Sequence, residues 1–303
     1  MGRLPAHRFT PLALLLPVLW RLCALAAPTE IPEATYRTKV SEVRVTFSAT
    51  DRYDHPIANL KPDDFAVVDR EVIVRNFRSF TRAEFTQLNI SVLIDASASV
   101  TPHYREEILQ VIDLLSRTAG VPEEDLSIAS FRGLEAMAIC KGNCRASHAI
   151  EQLPNSRSTG LTPLYDTLIS AADSVPQNTD PQARRVMILF SDGEDTISKN
   201  AASDAIESLL ANDIQVYAIS PGRGDNAFLQ DLASATGGRV FRLSEGASKV
   251  AEAVLSDFHA SYQITYKLPY HSTGFHPIRI LPTHDLNLHF RCRRGYYYPA
   301  GRQ

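Results

Sequence analysis

From residue 88 to residue 258, short apolar runs alternate with segments whose apolar residues return every three or four positions. LNISVLID (88–95) reads as a buried strand ending on Asp95. Residues 102–118 place Ile108, Val111, Ile112 and Leu115 at helical spacing, with Thr101 and Pro102 as an N-cap and first-turn pair. LSIASF (126–131) and LEAMAIC (134–140) read as strands, and a helix is expected over 163–174, opened by Pro163. RRVMILF (184–190) is a second buried strand, followed by a helix over 201–211 and a strand IQVYAIS (214–220). A helix over 225–235 closes at Gly237 and Gly238, a short strand runs from Val240 to Leu243, and a last helix covers 246–259. Buried strands alternating with helices predict an α/β unit with a mostly parallel sheet covered on both faces.

The flanks have a period of two instead. Val43, Val45 and Phe47 alternate with Arg44, Thr46 and Ser48, which is strand periodicity. Asp54, His55 and Pro56 mark a turn, and Phe65, Val67, Val68 and the stretch from Val72 to Phe80 read as further strands. After Tyr262 the pattern returns in YQITYKL (262–268), HPIRILP (276–282) and LNLHFRC (286–292). The expected organisation is an N-terminal β segment at 40–85, an α/β domain at 86–260 and a C-terminal β segment at 261–303. The two β segments are expected to pair into one small β domain.

Composition narrows the setting. The chain has 303 residues, 44% hydrophobic and 21% charged, with a net charge of -3. No basic excess exists to neutralise phosphates, which argues against a nucleic-acid partner. Arg3, His7 and Arg8 precede the apolar stretch Pro11 to Trp20, and Ala24-Leu25-Ala26 supplies a small-x-small cleavage site. Residues 1–27 therefore read as a signal peptide and 28–39 as a polar, Pro-containing flexible leader. A retained membrane anchor competes, but the stretch is too short for a bilayer core of about 30 Å. No later segment is long enough for a stable membrane span, so the mature chain reads as secreted or periplasmic. Of four cysteines, Cys23 would leave with the signal. Cys140 and Cys144 flank the turn-like Lys141-Gly142-Asn143 and are candidates for a local disulfide, which leaves Cys292 free.

Three loops carry the chemistry. Asp95-Ala96-Ser97-Ala98-Ser99 follows the first buried strand. Thr159-Gly160-Leu161-Thr162 precedes a helix, and Ser191-Asp192-Gly193-Glu194-Asp195 follows the second buried strand. Ligands of open α/β sheets bind outside the carboxyl ends of the strands, where the strand order reverses, so distant loops can meet there. Every candidate donor is an oxygen: the carboxylates of Asp95 and Asp192 and the hydroxyls of Ser97, Ser99 and Thr162. Hard cations take such ligands, and Mg²⁺ is the first choice, with Mn²⁺ or Ca²⁺ as substitutes. A coordination position left open would suit a carboxylate from another protein.

The D-x-S-x-S run after an apolar strand, a Thr before P-L-Y-D, and S-D-G after a second apolar strand resemble the von Willebrand factor type A (vWA) domain over about residues 86–260. The resemblance implies a Rossmann-like fold and a metal-ion-dependent adhesion site (MIDAS). Carried over by motif, Asp95, Ser97 and Ser99 are the first-loop ligands, Thr162 the second and Asp192 the third. It also implies a protein partner that completes the metal shell with an exposed Asp or Glu. PIANLKPDDFAVVD (56–69) and the closing RRGYYYP (293–299) resemble secreted bacterial proteins related to vWA domains. Pro163 departs from the Ala usual in that group.

Blander readings stand beside these. Ser97 and Ser99 would otherwise cap a helix, and Asp192 would merely turn the chain. Glu194 and Asp195 read as a second shell, a partner contact, or a solvated loop and helix start, and Asp166 as second-shell or structural. His271, His276, His284 and His289 read as ordinary exposed histidines rather than a transition-metal site. Tyr296, Tyr297 and Tyr298 read as a strand of the β unit. No G-x-S-x-G elbow and no phosphate loop is present, so the chain reads as non-enzymatic. The alternatives are a Mg²⁺-dependent phosphohydrolase with Asp95 as nucleophile, which lacks the second Asp where Ser97 stands, and a metal-independent structural module.

Overall fold

The period-two flank at the start of the chain folds as its pattern dictates. In this computed structural model the described residues are 42–83, 86–97, 99–118, 126–133, 135–142, 161–174, 183–222 and 224–298. The expected signal peptide and leader, Thr159, Gly160 and Cys144 lie outside them. Strand β1 (Glu42–Thr50) buries Val43, Val45 and Phe47 and leaves Arg44 and Thr46 half-buried. Strands β2 (Phe65–Asp69), β3 (Val72–Val74) and β4 (Ser79–Arg82) follow.

The central unit runs β5 (Leu88–Asp95), α1 (Thr101–Thr118), β6 (Leu126–Arg132), β7 (Glu135–Lys141), α2 (Leu164–Asp173), β8 (Arg184–Phe190), α3 (Ala202–Ala211), β9 (Ile214–Ser220), α4 (Ala227–Thr236), β10 (Val240–Arg242) and α5 (Ala247–His259). Its six strands are ordered β10-β9-β8-β5-β6-β7. All neighbours are parallel except β7, which folds back antiparallel on β6. β8 shows why its run is unbroken. Val186, Ile188 and Phe190 enter one core with α1 and α5, while Met187 and Leu189 enter another with α2, α3 and α4. A strand covered on both faces has no solvent side to make polar.

The order also locates a crevice. The chain leaves β5 for its neighbour β6, whereas β8 leads the other way to β9 and β10. The connections diverge between β5 and β8, so the loops leaving those two strands flank the reversal point.

The C-terminal strands are β11 (Ser261–Lys267), β12 (Gly274–Pro282), β13 (His289–Cys292) and β14 (Gly295–Tyr298). They interleave with β1–β4 in two antiparallel four-stranded sheets, β13-β1-β11-β4 and β14-β12-β2-β3. Phe47, Phe65, Tyr262, Ile264 and Ile278 lie in the shared core. The flanking β domain is thus a sandwich built from both ends of the chain. Asp69 lies inside it with no exposed surface, accepting the hydroxyls of Tyr266 at 2.9 Å and Tyr296 at 2.8 Å.

Three expectations change. The last run was read as a strand from residue 286, but β13 begins at His289 and Leu286 is exposed. Asp285 accepts the Asn287 amide at 2.9 Å, an Asx turn that holds 285–287 out of the ladder. Helix α1 starts at Thr101 itself and is kinked at Tyr104 (φ -126°, ψ 18°). His276 is fully buried rather than exposed, with Nε2 2.6 Å from the Ser272 carbonyl oxygen and Nδ1 3.1 Å from the Tyr296 hydroxyl. Among the described residues no helix is long and apolar enough to cross a membrane.

Candidate functional site

Asp95 is the last residue of β5, where the buried strand ends and its loop begins. Its side chain has no exposed surface. Oδ1 accepts the Ser97 amide at 2.9 Å and Oδ2 accepts the Ser191 hydroxyl at 2.9 Å. Burial pushes its carboxyl up to about 6, hydrogen bonds from Ser97 and Ser191 oppose that, and the nearby Asp192 charge adds to it. The Ser97 and Ser99 hydroxyls lie 3.1 Å apart, and Ser99 donates to Asp192 Oδ2 at 2.6 Å. Asp95, Ser97, Ser99 and Asp192 therefore form one hydrogen-bonded cluster across the first and third loops.

The second loop is bound to the third through its backbone. The Thr196 amide donates to the Thr162 carbonyl at 2.9 Å, and the Thr162 amide donates to the Thr196 hydroxyl at 2.7 Å. Thr162 itself is buried, and its neighbour Leu161 is exposed. Pro163 caps α2 without a side-chain hydrogen bond. Asp195 supplies the missing acceptor from the third loop, taking the Tyr165 amide at 3.3 Å and the Ser198 hydroxyl at 2.5 Å. Asp166 faces the same segment and accepts the Lys199 and Asn200 amides, each at 3.0 Å. Those bonds hold its carboxyl below the usual range. Asp166 and Asp195 thus tie α2 to the third loop, while Glu194 is exposed and its amide donates to Asp192 Oδ1 at 3.1 Å.

Sequence reasoning assigned no role to Ser191, Thr196 or Asn226. Ser191 is fully buried, donates to Asp95 and accepts the Gly193 amide at 3.0 Å. Gly193 has φ +82°, and a Cβ there would meet the Asn226 side chain at 2.5 Å. Asn226 in turn caps α4 by accepting the Leu229 amide at 3.1 Å. Cys140 is disulfide-bonded, and Cys292 is a free thiol whose burial pushes it up to about 11.

The donor set suits a hard cation rather than a soft one, because carboxylates and hydroxyls dominate it. Among the described residues no three His, Cys, Asp or Glu side chains gather as a metal-binding group. The Asp192 charge disfavours that of the buried Asp95, and a divalent cation placed there would reverse that penalty.

The α/β unit is an open sheet of six strands, parallel but for its edge strand β7, with the crevice between β5 and β8 and a β sandwich beside it. Residues 141–254 match the von Willebrand factor type A domain family, a span that includes Thr162 and Asp192 and begins after the first loop. Among solved structures, the chain is similar to proximal thread matrix protein 1 from the mussel byssus, at 19% identity and a TM-score of 0.49 over 63% of this chain and 51% of that one. It thus spans about half the length of that mussel protein. It is also similar to an aerotolerance-related membrane protein from Bacteroides fragilis, at 16% identity and a TM-score of 0.45, covering 56% of this chain and 98% of that one. A third similarity is to the manganese-loaded TRAP protein of Plasmodium vivax, at 15% identity and a TM-score of 0.42 over 72% of this chain and 97% of that one. No curated protein matches the chain.

Proposed function

We propose that the chain is an exported, non-catalytic binding module that holds one divalent cation, Mg²⁺ by preference, and recognises a partner protein through an acidic side chain. The observation that carries this reading is the hydrogen-bonded cluster of Asp95, Ser97, Ser99 and Asp192 at the reversal point of the sheet. Asp95, Ser97, Ser99, Thr162 and Asp192 would hold the ion. When bound, the cation supplies an electrophilic position that a partner's Asp or Glu can occupy. The chain's own residues do the rest. Ser191 orients Asp95, the Thr196 pairing fixes the Thr162 segment, and Asp195 and Asp166 hold α2 against the third loop. Export accords with the disulfide at Cys140, which needs an oxidising compartment.

The experiment uses the wild-type chain and Asp95→Ala as baits on secreted and envelope fractions, each with Mg²⁺ and with EDTA. Proteins retained only by wild type in Mg²⁺ are expected. Identical retention by both baits in both buffers contradicts the proposal.

A further inference from the structure

Where the sandwich meets the α/β sheet, the buried Arg184 and Arg293 lie beside the partly exposed Arg44 and Arg185. A cavity of about 20 Å³ lies at this junction, room for one water-sized occupant. Arg44 and Arg293 line it from the sandwich side, and Arg184 and Arg185 line it from the start of β8. Asp213 is the carboxylate on its wall, and that side chain is half exposed.

Among the lining residues, four arginines face one carboxylate, Asp213. Arg184 is buried and its donors go directly to neutral acceptors, Gln215 Oε1 at 2.9 and 2.6 Å, the Tyr217 hydroxyl at 3.0 Å and the Phe258 carbonyl at 3.4 Å, with the buried Asp257 carboxylate reached only through the Tyr217 hydroxyl. Arg185 donates to the Asn212 carbonyl at 2.9 Å. Arg293 binds Asp213 at 2.6 Å and the Arg44 carbonyl at 2.7 Å, while its Nε is buried without a hydrogen-bond partner. Guanidinium groups cannot shed their proton, so the charge stays. Unbalanced buried charge is costly, and an anion in the cavity lowers that cost.

We propose that this junction binds a single monatomic anion, chloride under ordinary conditions, which helps fasten the sandwich to the sheet. The site is separate from the candidate cation cluster, and its test does not depend on that reading.

Crystals of the full chain grown in sodium bromide test this at the bromine absorption edge. One anomalous peak in the cavity beside Arg293 is expected. Melting in sodium chloride and in sodium gluconate at equal ionic strength gives a second readout, because screening is then the same in both. Chloride should raise Tm above the gluconate value, and Arg44→Gln should lose most of that increment. This variant leaves intact the Arg44 carbonyl that holds Arg293. An empty cavity at the bromine edge, or equal melting of wild type in the two salts, overturns the proposal.

Discussion

Asp95 joins two features that rarely coexist in a stable core: complete burial and a second carboxylate nearby. Its folded-state value of about 6 lies above the ordinary 3.8, so the metal-free fold holds that proton more tightly than the unfolded chain does. The sign follows from linkage. The stabilisation from that proton is complete below about pH 4 and is lost as pH rises through about 6. Chemical denaturation of EDTA-treated protein should therefore show falling stability across that window, and Asp95→Ala should flatten the slope. A cation competes for the same carboxylate, so Mn²⁺ affinity should weaken as pH drops below about 6. Cys292 gives a second check at this scale. With its thiol pushed up to about 11, the folded protein at pH 8 should resist alkylation, while denatured protein reacts quickly. Equal labelling rates would contradict the raised value of its thiol. The placement of Asp95 and Asp192 at the carboxyl ends of two buried strands was legible in the sequence, because each lies at the end of a largely apolar run. Ser191 and Asp195 were not assigned their roles, since their partners lie 96 and 30 residues away. His276 was misread although its phase held the clue: it alternates in step with the buried Ile278 and Ile280.

At the scale of elements, glycine and buried charge set the tolerances. Gly237 ends α4 with φ +81°, and a Cβ there would lie 2.6 Å from the Arg293 amide nitrogen. Left-handed strain and a backbone clash add, so Gly237→Ala should cost on the order of 2–4 kcal/mol in urea denaturation. An unchanged midpoint would show that β13 does not press on the helix end. Asp69→Ala removes the acceptor of two buried tyrosine hydroxyls and should cost roughly 3–5 kcal/mol. A loss much below that would mean that water or a local shift takes over those bonds. Strands β5 and β9 match the expected 88–95 and 214–220 residue for residue, because burial on both faces leaves an apolar run with sharp ends. Boundaries set by local side-chain bonds were harder to read. The Asx turn at Asp285 shortened β13, and the kink at Tyr104 falls in the first turn of α1, ahead of the apolar stripe that begins at Ile108.

Over the whole molecule, the sandwich and the sheet are fastened through the end of α4. The Arg294 amide donates to the Ala235 carbonyl at 2.8 Å, and Arg291 donates to the Gly237 carbonyl at 3.1 Å. The candidate cation cluster sits elsewhere, at the carboxyl ends of β5 and β8. Losing the ion should therefore lower the melting temperature without separating the two parts. At a free cation concentration one hundredfold above Kd, the expected gain in stability is about 2.7 kcal/mol, reversed by EDTA. The clustered oxygens form a cation site only if they bind an ion. Manganese titration followed by electron paramagnetic resonance measures that on the intact chain. One bound Mn²⁺ per chain is expected for wild type and none for Asp95→Ala, with both proteins folded by circular dichroism. Equal binding by the two proteins, or none by wild type, would contradict it.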